Sequence, residues 1–81
     1  MNHPNHTDLH IGAQVRARRK VLGISDEKLA DSLGVSLAQI LAWELGVTRI
    51  EASWLSEIAK ALEVSPMYFL HRAEAPQSRL H

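Results

Sequence analysis

An all-α bundle of five short helices is the architecture this sequence predicts. Three observations carry the prediction. Apolar residues recur at three- and four-residue spacing, with no alternating stretch of the kind a half-buried strand requires. Serine start signals and glycine stop signals bracket short segments in close succession. The chain has no cysteine, so neither disulfides nor a thiolate metal site adds stability, and side-chain packing must supply all of it.

The elements follow in order. Residues 1–8, with Pro4, two asparagines and two histidines, read as a flexible tail. Ile11, Val15 and Leu22 mark a first helix over about 9–22, closed by Gly23 and carrying Arg16, Arg18, Arg19 and Lys20 on its outer face. Ser25 caps a second helix, with Asp26 and Glu27 in the first turn, where the helix dipole favours acids. Its inner stripe is Leu29, Ala30 and Leu33, and Gly34 ends it. Ser36 caps a third helix with Ile40 and Trp43 inward and Gly46 as its stop. After the short link VTRIE, a fourth helix over about 52–62 buries Leu55, Ile58, Ala59 and Leu62. Ser65 caps a fifth, with Pro66 at the first position, where its missing N–H costs nothing. The expected organisation is one domain over 9–71 and a second flexible tail over 72–81.

Bulk properties narrow the function classes. A chain of 81 residues holds one small core, and 46% apolar content is that of a globular chain, not a disordered one. The N-terminus is polar, and no apolar run approaches the ~20 residues of a membrane helix. The expected location is the cytoplasm, at the nucleoid, with no membrane partner. Nine basic residues balance nine acidic ones. Phosphate neutralisation supplies most of a nucleic-acid binder's affinity, so DNA binding has to rest on how charge is distributed.

Helix 2, a three-residue turn and helix 3 form a helix-turn-helix pattern from Asp26 to Leu45. Ala30 is small where the two helices touch, Gly34 sits where the turn needs a left-handed backbone, and Ile40 and Trp43 face the core. At this point the chain resembles the phage Cro/repressor-like, or XRE-type, regulators. IGAQVRARRKVLGIS is similar to that family's first helix and turn, EKLADSLGVS to its second helix, and EIAKALEVSPMYFL to its fourth and fifth. The resemblance implies a compact five-helix bundle of the lambda-repressor-like DNA-binding type, with helices 2 and 3 as the helix-turn-helix. It also implies an ion pair between Arg19 and Glu44, double-stranded DNA as partner, and dimerisation through the C-terminal part.

The departures from the family fall on the reading surface. Asp26 stands where glutamine is usual, and helix 3 presents Leu37, Ala38, Gln39, Leu41, Ala42 and Leu45 where polar side chains are usual. Between Ser25 and Leu45, Lys28 faces Asp26, Glu27, Asp31 and Glu44, an acidic balance that opposes phosphate. Gln39 is the one residue able to make a bidentate pair with adenine, while the leucines and alanines suit thymine methyls. Leu37 is expected to contribute to the core, and Leu41 and Leu45 to be at least half exposed, an apolar ridge of the kind that marks interaction sites. The DNA-contacting set is Lys28, Ser36, Leu37, Ala38, Gln39, Leu41, Ala42, Thr48 and Arg49, with Arg49 the leading phosphate contact. Trp54, Met67, Tyr68 and Leu70 are assigned to a dimer interface, because such aromatics are hard to bury in so small a monomer and are enriched in interface hot spots.

His3, His6 and His10 lack a carboxylate or thiolate constellation to orient a metal. No cofactor, small-molecule ligand or catalytic grouping is expected. Two functions remain open: a small DNA-binding regulator, most simply a repressor, acting as a homodimer or with a related, more basic subunit; or a protein-interaction module that kept the fold and lost the DNA face.

Overall fold

The computed structural model describes residues 5–70, and all regular structure among them is helical. Four α-helices, α1 (His6–Val21), α2 (Asp26–Leu33), α3 (Leu37–Glu44) and α4 (Ala52–Ala61), precede a 3-10 helix over Pro66–Leu70. The two ends assigned to tails, residues 1–4 and 71–81, lie outside the described residues.

Two boundaries differ from expectation. Helix α1 starts at His6, about one turn before Leu9, because Asn5 caps it: the Asn5 Oδ1 accepts the Asp8 N–H at 2.7 Å. Capping satisfies a donor that the first turn leaves without a partner, so residues expected in a tail become part of the domain. The fifth helix is a tight 3-10 turn rather than an α-helix. With only five residues it closes by an i→i+3 bond, the Tyr68 N–H donating to the Ser65 carbonyl at 3.0 Å.

Helices α2 and α3 start as their sequences predict. The Ser25 Oγ accepts from the Lys28 N–H at 3.0 Å and the Ser36 Oγ from the Gln39 N–H at 3.1 Å. Gly34, at φ 71°, turns the chain between them, and the Val35 N–H closes that turn on the Ala30 carbonyl at 3.0 Å. At the end of α4 the same left-handed conformation falls on Glu63, at φ 63°.

The core is built from one residue or more of every element: Val15, Leu29, Ile40, Ile58, Leu62 and Phe69 are all sealed from solvent. Phe69 fixes the 3-10 turn on α1 and α4, since full burial of such a side chain is worth roughly 1.5–3 kcal/mol. Leu22 and Leu33, expected inside, pack only against the edge of this core. No helix among the described residues is long and apolar enough to cross a membrane.

Helix α3 sits against both α1 and α2, and glycines set how closely. A Cβ on Gly12 of α1 would overlap the Trp43 carbonyl and lie 2.7 Å from the Glu44 carbonyl oxygen. Here main chain meets main chain. Gly46, at φ +74°, ends α3 against Leu9, whose Cα would stand 2.9 Å from an added Cβ.

Candidate nucleic-acid interface

What holds α3 in place is polar as well as apolar. The Arg19 Nε donates to Glu44 Oε2 at 2.7 Å and its Nη2 to Glu44 Oε1 at 3.0 Å, a bidentate pair with both side chains buried. The remaining Nη1 donates to the Ile24 carbonyl at 2.9 Å. One guanidinium therefore ties α1, the turn before α2, and the end of α3. Hydrogen bonding to Glu44 raises the Arg19 pKa above its ordinary value against the opposing effect of burial, so this arginine stays charged and Glu44 adds no net charge to the surface.

Arg19 is thus not on the outer face of α1, and Arg18 is not fully there either. Its Nε donates to the Leu62 carbonyl at 3.0 Å, and its guanidinium lies 5.9 Å from the centroid of the Tyr68 ring. Of the four basic residues expected on that face, only Arg16 and Lys20 are exposed.

The outer side of α3 carries Leu37, Leu41 and Leu45, 37%, 41% and 62% exposed, one per turn. Leu37 stands outside the core to which it was expected to contribute, and Leu41 falls a little short of half exposure. Ser36 and Ala38 are exposed beside them, while Gln39 and Ala42 are half-buried. Beyond α3, the Thr48 N–H donates to the Ala42 carbonyl at 3.3 Å, which draws Thr48 onto the same end of the helix. Arg49 is exposed but not unpartnered: its Nε donates to Asp8 Oδ1 at 3.3 Å. Lys28 stands apart on exposed α2, between Asp26, Glu27 and Asp31.

The four residues assigned to an interface divide. Trp54 is half-buried, its ring 5.4 Å from that of Trp43 at 48°, so the two indoles fill the space between α3 and α4. Tyr68 packs edge-on to Phe69 at 5.4 Å as well as under Arg18. Both aromatics therefore have partners within the chain. Met67 and Leu70 are exposed.

Three contributors were missing from the sequence reading: Gly12, Asp8 and the cap Asn5. A glycine inside a periodic helical segment signals a close approach, and an asparagine three residues before an acid is a capping pattern. Among the described residues no three histidine, cysteine or acidic side chains converge on a point that would hold a metal; His3 lies outside them.

A short cap, a left-handed glycine turn, and a second cap leading into a surface helix clamped from beneath point to one family. A family profile described as helix-turn-helix matches residues 15–69. The chain belongs to the XRE-type helix-turn-helix family. An HTH-type transcriptional regulator of Sinorhizobium medicae is 43% identical over 70 residues, covering 86% of this chain and 50% of that protein. A transcriptional regulator in the ATPase CF(0) region of Rhodospirillum rubrum is 45% identical over 75 residues, covering 93% and 69%. The repressor protein C2 of Salmonella phage P22, solved in complex with a synthetic operator, superposes with a TM-score of 0.68 at 40% identity, covering 74% of this chain and 91% of that one. The chain spans about half the length of the first of these relatives.

Proposed function

We propose that this protein is a DNA-binding transcriptional regulator, acting as a repressor that occupies an operator as a dimer, with α2 and α3 as its helix-turn-helix. Its work is binding rather than catalysis, and its place is the cytoplasm at the nucleoid. The observation that carries this reading is the mounting of α3: an exposed helix whose far side is fixed by Arg19–Glu44 and by the Gly12 crossing. A helix that enters a major groove must hold its axis without help from the groove. The named relatives, and the P22 repressor seen with an operator, support the same reading.

In this reading Ser36, Leu37, Ala38, Gln39, Leu41 and Ala42 meet base edges, chiefly thymine methyls. Lys28, Thr48 and Arg49 hold phosphates. Specificity comes from shape and from a second subunit, because only Gln39 offers a bidentate base contact. Met67, Tyr68 and Leu70 are the exposed members of the dimer surface, and Trp54 is its half-buried member. The second subunit is an identical chain or a related, more basic one.

The test is duplex binding across a salt series. Observed affinity should fall steeply with salt, and Arg49→Ala should flatten the slope by about one unit. A slope near zero would remove the duplex from the account. A second reading, a protein-interaction module, is favoured by the leucine row on α3 together with an α2 surface on which Asp26, Glu27 and Asp31 outnumber Lys28. Under that reading no duplex binds even at low salt, and Leu41→Glu breaks a protein complex.

A further inference from the structure

The surface between α1 and α3 is not filled by the fold. A cleft of about 460 Å³ runs between the C-terminal halves of these helices and the start of α2. Leu41 and Leu45 form its apolar wall, Arg16 and Lys20 stand on the opposite rim, and the Arg19–Glu44 pair lies at its floor. A shallower extension passes Ala13 and Ala17, both exposed and small.

Two features of this cleft are unaccounted for by folding or by the contacts of α3. The first is its leucine wall: Leu41 and Leu45 are 41% and 62% exposed, left open to water beside the sealed core residues Ile40 and Trp43. The second is its cations. The side chains of Arg16 and Lys20 make no hydrogen bond or ion pair with any described residue, whereas those of Arg18, Arg19 and Arg49 are all engaged. Glu44 is neutralised by Arg19, so Asp26 is the one uncompensated acid at the rim.

We propose that this cleft docks an acidic amphipathic helix from a partner protein, its apolar stripe on Leu41 and Leu45 and its carboxylates on Arg16 and Lys20. Charge complementarity selects the sign of the partner. Spacing selects its form: Arg16 with Lys20, and Leu41 with Leu45, are each one helical turn apart, the repeat a docked helix presents through its own i and i+4 positions. An extended peptide would need a sheet edge for its backbone N–H and C=O groups, and the described residues offer none. A DNA duplex is too wide to enter a cleft of this size, and Asp26 at the rim repels its phosphates. Leu41 belongs both to this wall and to the proposed DNA-facing set, so an occupied cleft and a bound duplex exclude each other. The docking itself does not depend on the duplex reading. It gives the protein-interaction reading a partner of defined chemistry.

The experiment uses the full chain and a fluorescein-labelled synthetic peptide of about 18 residues, five helical turns, with leucines along one face and glutamates on the other. A matched peptide carries lysine in place of every glutamate. Anisotropy titrations are run with both peptides and, separately, with a labelled duplex, and binding is mapped by backbone amide chemical shifts. The glutamate peptide should bind with a Kd in the micromolar range, the lysine peptide at least about tenfold more weakly. Shifts should gather on residues 13–20 and 41–45. The double variant Arg16→Glu with Lys20→Glu should cost the glutamate peptide about tenfold and reverse the preference between peptides. Both positions are exposed, so the fold is not at stake, and a circular dichroism spectrum confirms that. Equal binding of the two peptides, or shifts centred on the 3-10 turn, overturns the proposal. If the double variant weakens the duplex and leaves the glutamate peptide unchanged, the cations serve DNA and the proposal falls while the duplex reading stands. Peptide binding without duplex binding leaves the proposal standing and removes the duplex reading.

Discussion

Replacing Glu44 by alanine should remove a large share of this domain's stability. The carboxylate accepts two hydrogen bonds from Arg19, at 2.7 and 3.0 Å, and the two side chains are 3% and 9% exposed. Without Glu44 the guanidinium keeps only the Ile24 carbonyl and remains charged in an apolar setting. Breaking one half of a buried pair typically costs about 3–5 kcal/mol; the surviving bond to Ile24 puts the expected loss near the lower figure, about 3 kcal/mol. A domain of this size has a total stability of only about 3–10 kcal/mol, so the variant loses between about 30% of it and all of it. Urea unfolding followed by tryptophan fluorescence reads this directly, because Trp43 precedes Glu44 in α3. With a slope of about 1 kcal/mol per molar, the midpoint should fall by about 3 M with the slope unchanged. The double replacement Arg19→Met with Glu44→Leu should return stability to within about 1 kcal/mol of the parent, since an apolar pair of similar volume leaves no charge to desolvate. A loss below about 1 kcal/mol for Glu44→Ala, or a double variant as unstable as the single one, would refute the reasoning.

Other perturbations test other parts of the account. Gly12→Ala pushes a methyl into the Trp43 and Glu44 carbonyls, and should cost about 1–3 kcal/mol or more in the same urea assay despite alanine's better helix propensity. Glu63→Gly relieves a left-handed residue that has a Cβ, and should raise stability by up to about 1 kcal/mol; a loss would mean that the Glu63 side chain contributes contacts of its own. Asp8→Asn removes the charge that engages the Nε of Arg49; the arginine half of the pair is exposed, so stability should change by about 1 kcal/mol or less. Duplex affinity at low salt should rise a few-fold in the same variant, as measured by anisotropy.

The helices themselves were legible because their ends are written locally. Ser25, Ser36 and Gly34 act within four residues of where they stand, and each sits where the caps and the turn require. The start of α1 was missed because Pro4 and the histidines suggested a tail, although Asn5 and Asp8 hold the capping spacing. The inward turn of Arg19 was in principle readable: it continues the Ile11, Val15 row at four-residue intervals, which points it toward the core. What local pattern does not contain is the distance between elements. Trp54 finds Trp43 across the gap between α3 and α4, and Tyr68 finds Arg18 fifty residues away in sequence. Neither partnership leaves a periodic trace, which is why both aromatics looked surplus to the core. The outward placing of Leu41 and Leu45 was anticipated from helical geometry and that of Leu37 was not, and the cleft beside them exists only once α1 is laid against α3.

The bare crossing at Gly12 has a consequence for how such a protein can change. Because the two backbones touch there directly, the tilt of α3 is inherited from the N-terminal helix and owes little to whatever stands on its opposite side. Leu37, Ala38 and Leu41 can therefore be exchanged for glutamine, arginine or serine without redirecting the axis that carries them. The scaffold behaves like a fixed handle with an interchangeable edge, and under the proposed duplex-binding function a few surface substitutions change what that edge meets.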